Sequence, residues 1–176
     1  MLQSKLFGTG VRALGVLGIA ACALWPKDAH AGPQLALDLD YAGGVDEPGL
    51  GHGTGGQLRF GQQLDLVAVS LTGELGVSYH TFDGPADPSH YSGFVGGRLG
   101  FGKILEPSIF AHVGYGSLNV ADEHDWGPVF DLGLALDLTV LPLIDIGVHA
   151  AYDFQRLDTG NNLDFYRVGA HAALVF

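Results

Sequence analysis

The sequence predicts an all-β protein, an eight-stranded antiparallel up-and-down transmembrane β-barrel. Three observations predict this fold. Apolar residues alternate with small or polar residues along eight segments, which is the period of a β-strand. The connections between the segments alternate between long and short, as in a barrel whose two rims differ. The tyrosines fall on the apolar phase of their segments, toward the end that adjoins a long connection.

The first 31 residues read as a cleaved secretory signal peptide. Lys5 and Arg12 precede an apolar run that is too short to cross a bilayer comfortably as a helix. The sequence AHA at 29–31 has the small residues that a signal peptidase recognises. We therefore expect a signal at 1–31 and a barrel domain at 32–176. A rival interpretation makes Cys22 the acylated residue of a lipoprotein signal, although the apolar residues after it form an unusual tether.

Composition excludes some classes of function. The signal holds three of the eight basic residues and one of the 19 acids, which leaves five basic residues against 18 acids after cleavage. This acidic balance argues against binding of nucleic acid through its phosphates. The single cysteine lies in the signal, so the mature chain has no disulfide. A secreted domain without disulfides needs another source of stability, and a closed sheet is one.

Eight segments carry the alternation. We expect them at 33–44, 55–62, 66–80, 91–102, 108–116, 129–140, 144–154 and 166–176. Short connections are expected around Gln63, Pro107 and Pro142, and the other four connections are long, polar and rich in turn formers. The last segment is expected to close the barrel against the first.

The polar phase of the segments carries small residues and isolated charges rather than the lysine and glutamate of a solvated surface. An eight-stranded lumen is just wide enough to be filled by side chains, so such a face suits it. We expect a luminal charge network of Asp38, Asp40, Arg59, Glu74, Arg98, Asp131, Asp137, Asp145, Asp153 and Arg167. Because buried charges must be paired or neutralised, this network is expected to plug the barrel rather than to conduct ions.

Two aromatic girdles are expected on the apolar phase. Tyrosine combines an apolar ring with a hydroxyl that prefers water, which suits the interface of a bilayer. The external girdle is expected to contain Tyr41, Tyr79, Tyr91, Tyr115, Tyr152 and Tyr166. Phe60, Phe101 and Phe176 would mark the opposite, periplasmic rim.

No catalytic residue, cofactor or metal ligand is expected. Four histidines share the luminal phase, namely His80, His112, His149 and His171. They lack the H-x-H or H-x-x-x-H spacing of a transition-metal site, so luminal hydrogen bonding is their expected role. The acidic stretch 122–125 is expected in a loop, as solvated residues rather than as a divalent-cation site. Ser89 and His90 are adjacent in an expected loop, and such adjacency does not make a catalytic triad.

The signal, the eight segments and the terminal Phe176 resemble the small outer-membrane β-barrel proteins of the OmpA/OmpX type. The resemblance is architectural and covers the mature chain. It implies the outer membrane of a Gram-negative bacterium, contact with its lipids and lipopolysaccharide, and assembly by the barrel assembly machinery with periplasmic chaperones; a monomer is expected. It also implies an assembly signal on the last strand at Tyr166, Val168, Ala170, Ala172, Leu174 and Phe176.

The expected function is a structural, surface-adhesive or binding role through four acidic extracellular loops. A lipid-modifying enzyme is the alternative, because lipid A deacylases and palmitoyltransferases occur on this scaffold. Those enzymes need a Ser/His or similar set at the outer rim, whereas the histidines of the segments point inward here, so a non-enzyme is favoured. The third interpretation is a soluble secreted ligand-binding barrel, since an ordinary half-buried antiparallel sheet also alternates.

Overall fold

The computed structural model of the chain describes residues 30–43, 50–66, 68–84, 86–121, 123–141 and 143–176. Nearly all of the expected signal peptide, with Cys22, therefore lies outside the described residues, as do Asp122 and Pro142. The strands are β1 His30–Gly43, β2 Gly53–Leu66, β3 Val69–Phe82, β4 Ser89–Phe101, β5 Leu105–Val120, β6 Glu123–Leu141, β7 Ile144–Arg156 and β8 Asn162–Val175. Among the described residues we find no helix with the length and apolarity needed to cross a bilayer.

The eight strands form one closed antiparallel barrel in sequence order. Strand β8 completes it by pairing with β1, with Leu35 opposite Leu174 and Tyr41 opposite Val168. The predicted fold class is confirmed, including the closure of the last strand on the first. Closure removes the two free edges that an open sheet would present to other chains.

Exposure alternates along the strands with the period of the pleat. In β6, Leu132 and Leu134 are 56% and 62% exposed, whereas Asp131 is 3% exposed. The apolar phase therefore faces outward and the polar phase faces the lumen. This is the reverse of the arrangement in a soluble sheet, where apolar residues pack in the core.

One end of the barrel, called here the turn rim, carries the connections 67–68, 102–104 and 142–143 together with Phe176. Two of these connections differ from the prediction. Strand β2 continues to Leu66, so the first turn does not lie around Gln63. The second turn lies at 102–104, where Gly102 has a φ of 123° that suits glycine.

Pro107 was expected in that second turn but belongs to β5. It lies opposite Leu136 of β6, while the pairing of β5 with β4 stops at Ser108 opposite Gly100. Pro107 therefore has a strand neighbour on one side only. This is the position in which a sheet tolerates a residue without an amide hydrogen.

The other end, called the tyrosine rim, carries the described residues 50–52, 83–84, 86–88, 121 and 157–161 of the four remaining connections. The prediction of an acidic loop at 122–125 is wrong for residues 123–125, because β6 begins at Glu123, opposite Val120. The hairpin is held there by a 2.5 Å contact between Nδ1 of His124 and Oδ1 of Asn119. Asp122 itself lies outside the described residues.

Candidate functional site

Ion pairs fill the middle of the lumen. Arg59 donates to the two carboxylate oxygens of Asp38 at 2.7 and 2.9 Å, and its remaining terminal nitrogen donates to Glu74 at 2.6 Å. The two-pronged contact with Asp38 is the strongest geometry that a guanidinium and a carboxylate can adopt. All three side chains are buried, so the pairing offsets a desolvation penalty that either charge alone would carry.

Arg167 joins the last three strands to the first. Its Nε donates to Asp153 on β7 at 2.5 Å, and its terminal nitrogens lie 3.3 Å from Asp131 on β6 and 3.5 Å from Asp40 on β1. Arg167 is 1% exposed, which makes it one of the most buried side chains of the barrel. It connects four neighbouring strands across the seam at which the sheet closes.

Arg98 extends the network toward the turn rim. One terminal nitrogen donates to Asp137 at 3.2 Å, and Nε lies 3.4 Å from Glu74. The guanidinium also lies 5.3 Å from the ring centroid of Phe110, which is a cation–π distance. Closer to the turn rim, Ser70 donates a short hydrogen bond to Glu106, an acid that was not among the expected network residues.

The four histidines that the sequence predicted in the lumen lie inside the barrel, and each of the four contacts a carboxylate. The contacts are His80 with Asp40 at 3.2 Å, His112 with Asp131 and Glu74 at 2.8 Å each, His149 with Asp40 at 2.6 Å, and His171 with Asp137. The structure thus joins histidines, arginines and acids from all parts of the sequence in one network.

Nine of the ten expected network residues are buried, and each of the nine makes a salt bridge. Asp145 lies on the same face but is half-buried, and it makes no salt bridge within the described part of the chain. It is the second residue of β7, so it lies at the turn rim where water reaches it.

The sequence pattern did not predict an apolar cap at the tyrosine end of the lumen. Its buried members are Ala42, Phe82, Leu118, Leu157, Leu163 and Phe165. The Phe165 ring meets those of Phe82, His80 and His90 edge-on, at 5.4, 5.7 and 5.9 Å. The sequence did indicate part of this cap, because Leu163 and Phe165 share the parity of Arg167 along β8 and so face the lumen.

Ser89 and His90 are not in a loop, as was expected, but open β4. His90 is buried in the lumen against Phe165, whereas successive residues of a strand point to opposite faces. The two side chains therefore do not converge on one point. Ser89 pairs with Thr81 and Asn119, and His90 pairs with His80 and Leu118, so this stretch is strand rather than loop.

The expected girdle tyrosines lie on the outward phase near the tyrosine rim. Five of them are between 42% and 54% exposed, and Tyr91 is half-buried because its ring lies 5.3 Å from that of Trp126. Tyr79 lies opposite Tyr91 in the β3–β4 ladder. Trp126 also stacks with Tyr115, so it joins the girdle although its segment was expected to be a loop.

Of the three phenylalanines expected at the opposite rim, two lie there and one does not. Phe101 lies at the end of β4, opposite Val69, and the amide of Phe176 donates to the carbonyl of Pro33 at 3.0 Å. Phe60 lies opposite Leu75 and six residues before the end of β2 at Leu66. Its placement at the rim was wrong because the strand continues past the polar residues that looked like a turn.

Between the rims lies an apolar surface, called here the outward belt, to which every strand contributes. One residue from each strand, 45% to 68% exposed, illustrates it: Leu39, Leu58, Val77, Val95, Val113, Leu134, Val148 and Val168. Soluble monomers rarely expose a continuous apolar patch larger than a few hundred Å². The belt surrounds the whole barrel.

Solved structures that match this barrel come from outer-membrane proteins. Neisserial surface protein A matches with a TM-score of 0.66 and 14% identity, over 83% of this chain and 99% of that one. Ail of Yersinia pestis, solved with the heparin analogue sucrose octasulfate, matches with a TM-score of 0.47 and 17% identity, over 81% and 99% of the two chains. The N-terminal β-barrel domain of Pseudomonas aeruginosa OprF matches with a TM-score of 0.45 and 17% identity, over 82% and 99%.

The match to Neisserial surface protein A shows the class of fold. No protein-family model matches the chain, and no curated protein matches it in sequence. At 14% identity the likeness to Neisserial surface protein A concerns the fold alone. The predicted resemblance to small eight-stranded outer-membrane β-barrel proteins is confirmed at that level.

Proposed function

We propose that this protein is an integral outer-membrane β-barrel protein of a Gram-negative bacterium, with its tyrosine rim at the cell surface. The observation that carries the proposal is the outward belt around a lumen filled with charges. Hydrocarbon is the solvent in which such a belt is stable. A closed barrel also satisfies its backbone hydrogen bonds internally, as a membrane span requires.

Strand length and rim design support the membrane location and the orientation. The strands contain 13 to 19 residues, and a tilted strand needs about 9–11 to cross the hydrocarbon layer. Outer-membrane barrels have short periplasmic turns and longer external loops. The turn rim therefore faces the periplasm, and the outward belt contacts lipids and the acyl chains of lipopolysaccharide.

The outward face of β8 is the proposed assembly signal. Tyr166, Val168 and Leu174 are exposed on it, Ala170 and Ala172 continue the same phase, and Phe176 is exposed directly after the strand. A continuous apolar face that carries the exposed aromatic rings of Tyr166 and Phe176 suits recognition by the barrel assembly machinery and by periplasmic chaperones before the barrel closes. With all strand edges paired in one chain, the protein works as a monomer.

We infer a structural, adhesive or binding role rather than a catalytic one. Ser89 and His90 point to opposite faces of β4, so this pair does not offer a lipid substrate a nucleophile with its base. A soluble ligand-binding barrel would need an internal cavity and a polar exterior. Here ion pairs and the apolar cap occupy the lumen, and the exterior is apolar.

The tyrosine rim offers a shaped surface for binding. Two of its connections are tied together, because the amide of Gly51 donates to the carbonyl of Asp83 at 2.6 Å and the amide of Asp83 donates to His52 at 2.7 Å. A cleft of about 390 Å³ lies beside this junction. It is lined by Tyr41, His52, Gly53, Thr54, Thr81, Phe82, Asp83, Asp87 and Pro88. The acids of this rim favour a polar or cationic partner.

Surface labelling of intact bacteria tests the proposal. An epitope inserted after Gly160, among the exposed residues 158–161, should be labelled by antibody on unbroken cells. The matched control carries the epitope at the short turn 67–68 and should be labelled only after the outer membrane is permeabilised. Labelling of the turn and not of the 157–161 connection would reverse the orientation. Recovery of both variants in the soluble periplasm would refute the membrane location.

A further inference from the structure

Two luminal histidines face each other at the seam where the barrel closes. His149 on β7 and His171 on β8 are buried, and their Nδ1 atoms lie 3.3 Å apart. The other ring nitrogen of each contacts a carboxylate, with Nε2 of His149 2.6 Å from Asp40 and Nε2 of His171 close to Asp137. An ionised carboxylate only accepts hydrogen bonds, so each Nε2 carries the hydrogen.

The two Nδ1 atoms of neutral rings held in this way point their lone pairs at each other. Two acceptors at this distance require a cation between them, either a proton on one ring or a metal ion. Histidines that bind metals usually donate their other ring N–H to a carboxylate, which orients the ring and raises its basicity. Asp40 and Asp137 make these contacts here.

The separation of the nitrogens fits a tetrahedral metal site. A Zn–N distance of about 2.0–2.1 Å and a tetrahedral angle place two ligand nitrogens about 3.3–3.4 Å apart. Asp38 offers a third potential ligand, because one of its carboxylate oxygens and one ring nitrogen of each histidine lie within 4.8 Å of one another. Arg59 uses one lone pair of each Asp38 oxygen, so further lone pairs remain for an ion.

The backbone beside the pair is shaped to seat it. His149 lies opposite Gly169, and His171 lies opposite Gly147, in the β7–β8 ladder. A Cβ at Gly169 would lie 2.5 Å from Oδ1 of Asp40 and 2.9 Å from the His149 ring. A Cβ at Gly147 would lie 2.6 Å from both Oδ1 of Asp137 and the His171 ring. Each histidine–carboxylate pair therefore occupies space that only glycine leaves free.

Charge gives an independent reason for a cation. The buried side chains of the described residues include six carboxylates, at positions 38, 40, 74, 131, 137 and 153, and three arginines, at 59, 98 and 167. His112 adds one positive charge, because both of its ring nitrogens contact carboxylates and therefore both carry hydrogen. The lumen thus has an excess of two negative charges, which must be neutralised. A divalent ion at the histidine pair supplies that neutralisation.

We propose that Asp38, His149 and His171 bind a divalent transition metal of the zinc class inside the barrel. The ion joins β1, β7 and β8, which are the strands of the closing seam, and therefore stabilises the closed barrel. Cross-strand placement explains why the sequence spacing concealed the site. The proposal rests on the luminal geometry alone and does not depend on the surface role of the protein.

Metal content of the folded barrel tests the site. Mature protein without a polyhistidine tag is refolded in detergent with zinc chloride, desalted, and analysed by mass spectrometry of the metal. We expect about one zinc ion per folded chain, and a loss of at least tenfold in the double variant H149Q/H171Q. The control is H112Q, since His112 is also buried and also contacts carboxylates but lies outside the pair; it should retain the zinc.

Cobalt keeps the test decisive if the double variant does not fold. Folded wild-type protein loaded with Co²⁺ should show the visible absorption of tetrahedral cobalt, and D38N should weaken or shift that absorption while H112Q leaves it unchanged. A folded wild-type barrel that takes up neither metal would overturn the proposal and assign a shared proton to the pair. Equal zinc in the wild type and in folded H149Q/H171Q would overturn it as well, because the ion would then lie elsewhere.

Discussion

At the scale of single residues, the barrel depends on how its buried charges are matched. Arg167 serves three carboxylates, on β1, β6 and β7, so its removal would leave several charges without a partner in the lumen. Breaking a buried pair from one side is strongly destabilising, because the remaining charge keeps its desolvation penalty. The luminal network of ion pairs, called here the ionic plug, is therefore most sensitive to substitution at Arg167.

We expect Arg167→Gln to lower the free energy of unfolding by about 3–5 kcal/mol. Urea titration in detergent, followed by the fluorescence of Trp126, measures the change. Arg156→Gln is the control, because Arg156 is exposed at the end of β7, and it should change the free energy by less than about 0.5 kcal/mol. Equal effects of the two substitutions would contradict the claim that the ion pairs of Arg167 stabilise the barrel.

Parity along the strands was sufficient to predict which charges face inward, but not which of them meet. Asp40 and His149 lie 109 positions apart and contact each other only because the sheet closes. Their pairing depends on the stagger between β1, β8 and β7, which no local pattern encodes. The histidine pair was not predicted for the same reason, since its spacing of 22 residues matches no metal motif.

At the scale of the strands, two faces meet different solvents. Along β6 the leucines face outward and alternate with aspartate, glycine and alanine, which face the lumen. A charge placed on the outward phase would therefore enter the hydrocarbon, whereas the same charge on the inward phase would enter a polar network. Depth also matters, because a substitution near a rim reaches the aqueous interface.

Leu134→Arg near the middle of β6 should lower the free energy of unfolding in lipid vesicles by about 2–4 kcal/mol. Leu143→Arg, at an equally exposed position in the turn rim, should lower it by only about 0–1 kcal/mol. Urea unfolding of barrels refolded into vesicles measures both. If Leu134→Arg were as mild as Leu143→Arg, the outward belt would not face lipid.

The exposed ring of Phe176 lies directly after β8 and extends the apolar face of that strand. Deletion of Phe176 should reduce the amount of folded barrel in the membrane several-fold, because the exposed ring completes the apolar face of the strand. Val175→Ala, a substitution on the other phase, should leave that amount unchanged. Quantitative blotting of membrane fractions compares them, and similar losses would contradict the proposed assembly role of Phe176.

The strand order and the closure followed from the alternation, but several strand ends did not. The β5–β6 hairpin continues past Tyr115 to Val120, but there the apolar residues Leu118 and Val120 lie on the opposite parity to Val113 and Tyr115. The outward apolar phase by which the strand was predicted therefore ends at Tyr115, while Leu118 is buried in the apolar cap. Polar Gln62 and Gln63 hid the continuation of β2 in a similar way.

At the scale of the whole molecule, the outward belt and the filled lumen form one design. The ionic plug and the apolar cap make the interior a packed core, while the belt requires a surrounding apolar solvent. Such a barrel is stable as a closed unit and opens only when the whole sheet unfolds. A compact barrel that resists dodecyl sulfate until it is heated follows from this closure.

Electrophoresis of the outer-membrane fraction without and with boiling tests the central claim most directly. The unboiled protein should remain in the detergent-extracted membrane fraction and migrate as a compact band, and boiling should shift the band to the position of the unfolded 18.5 kDa chain, or slightly below it after removal of the signal. A single band that does not move on boiling, from protein recovered in the soluble fraction without detergent, would contradict the account.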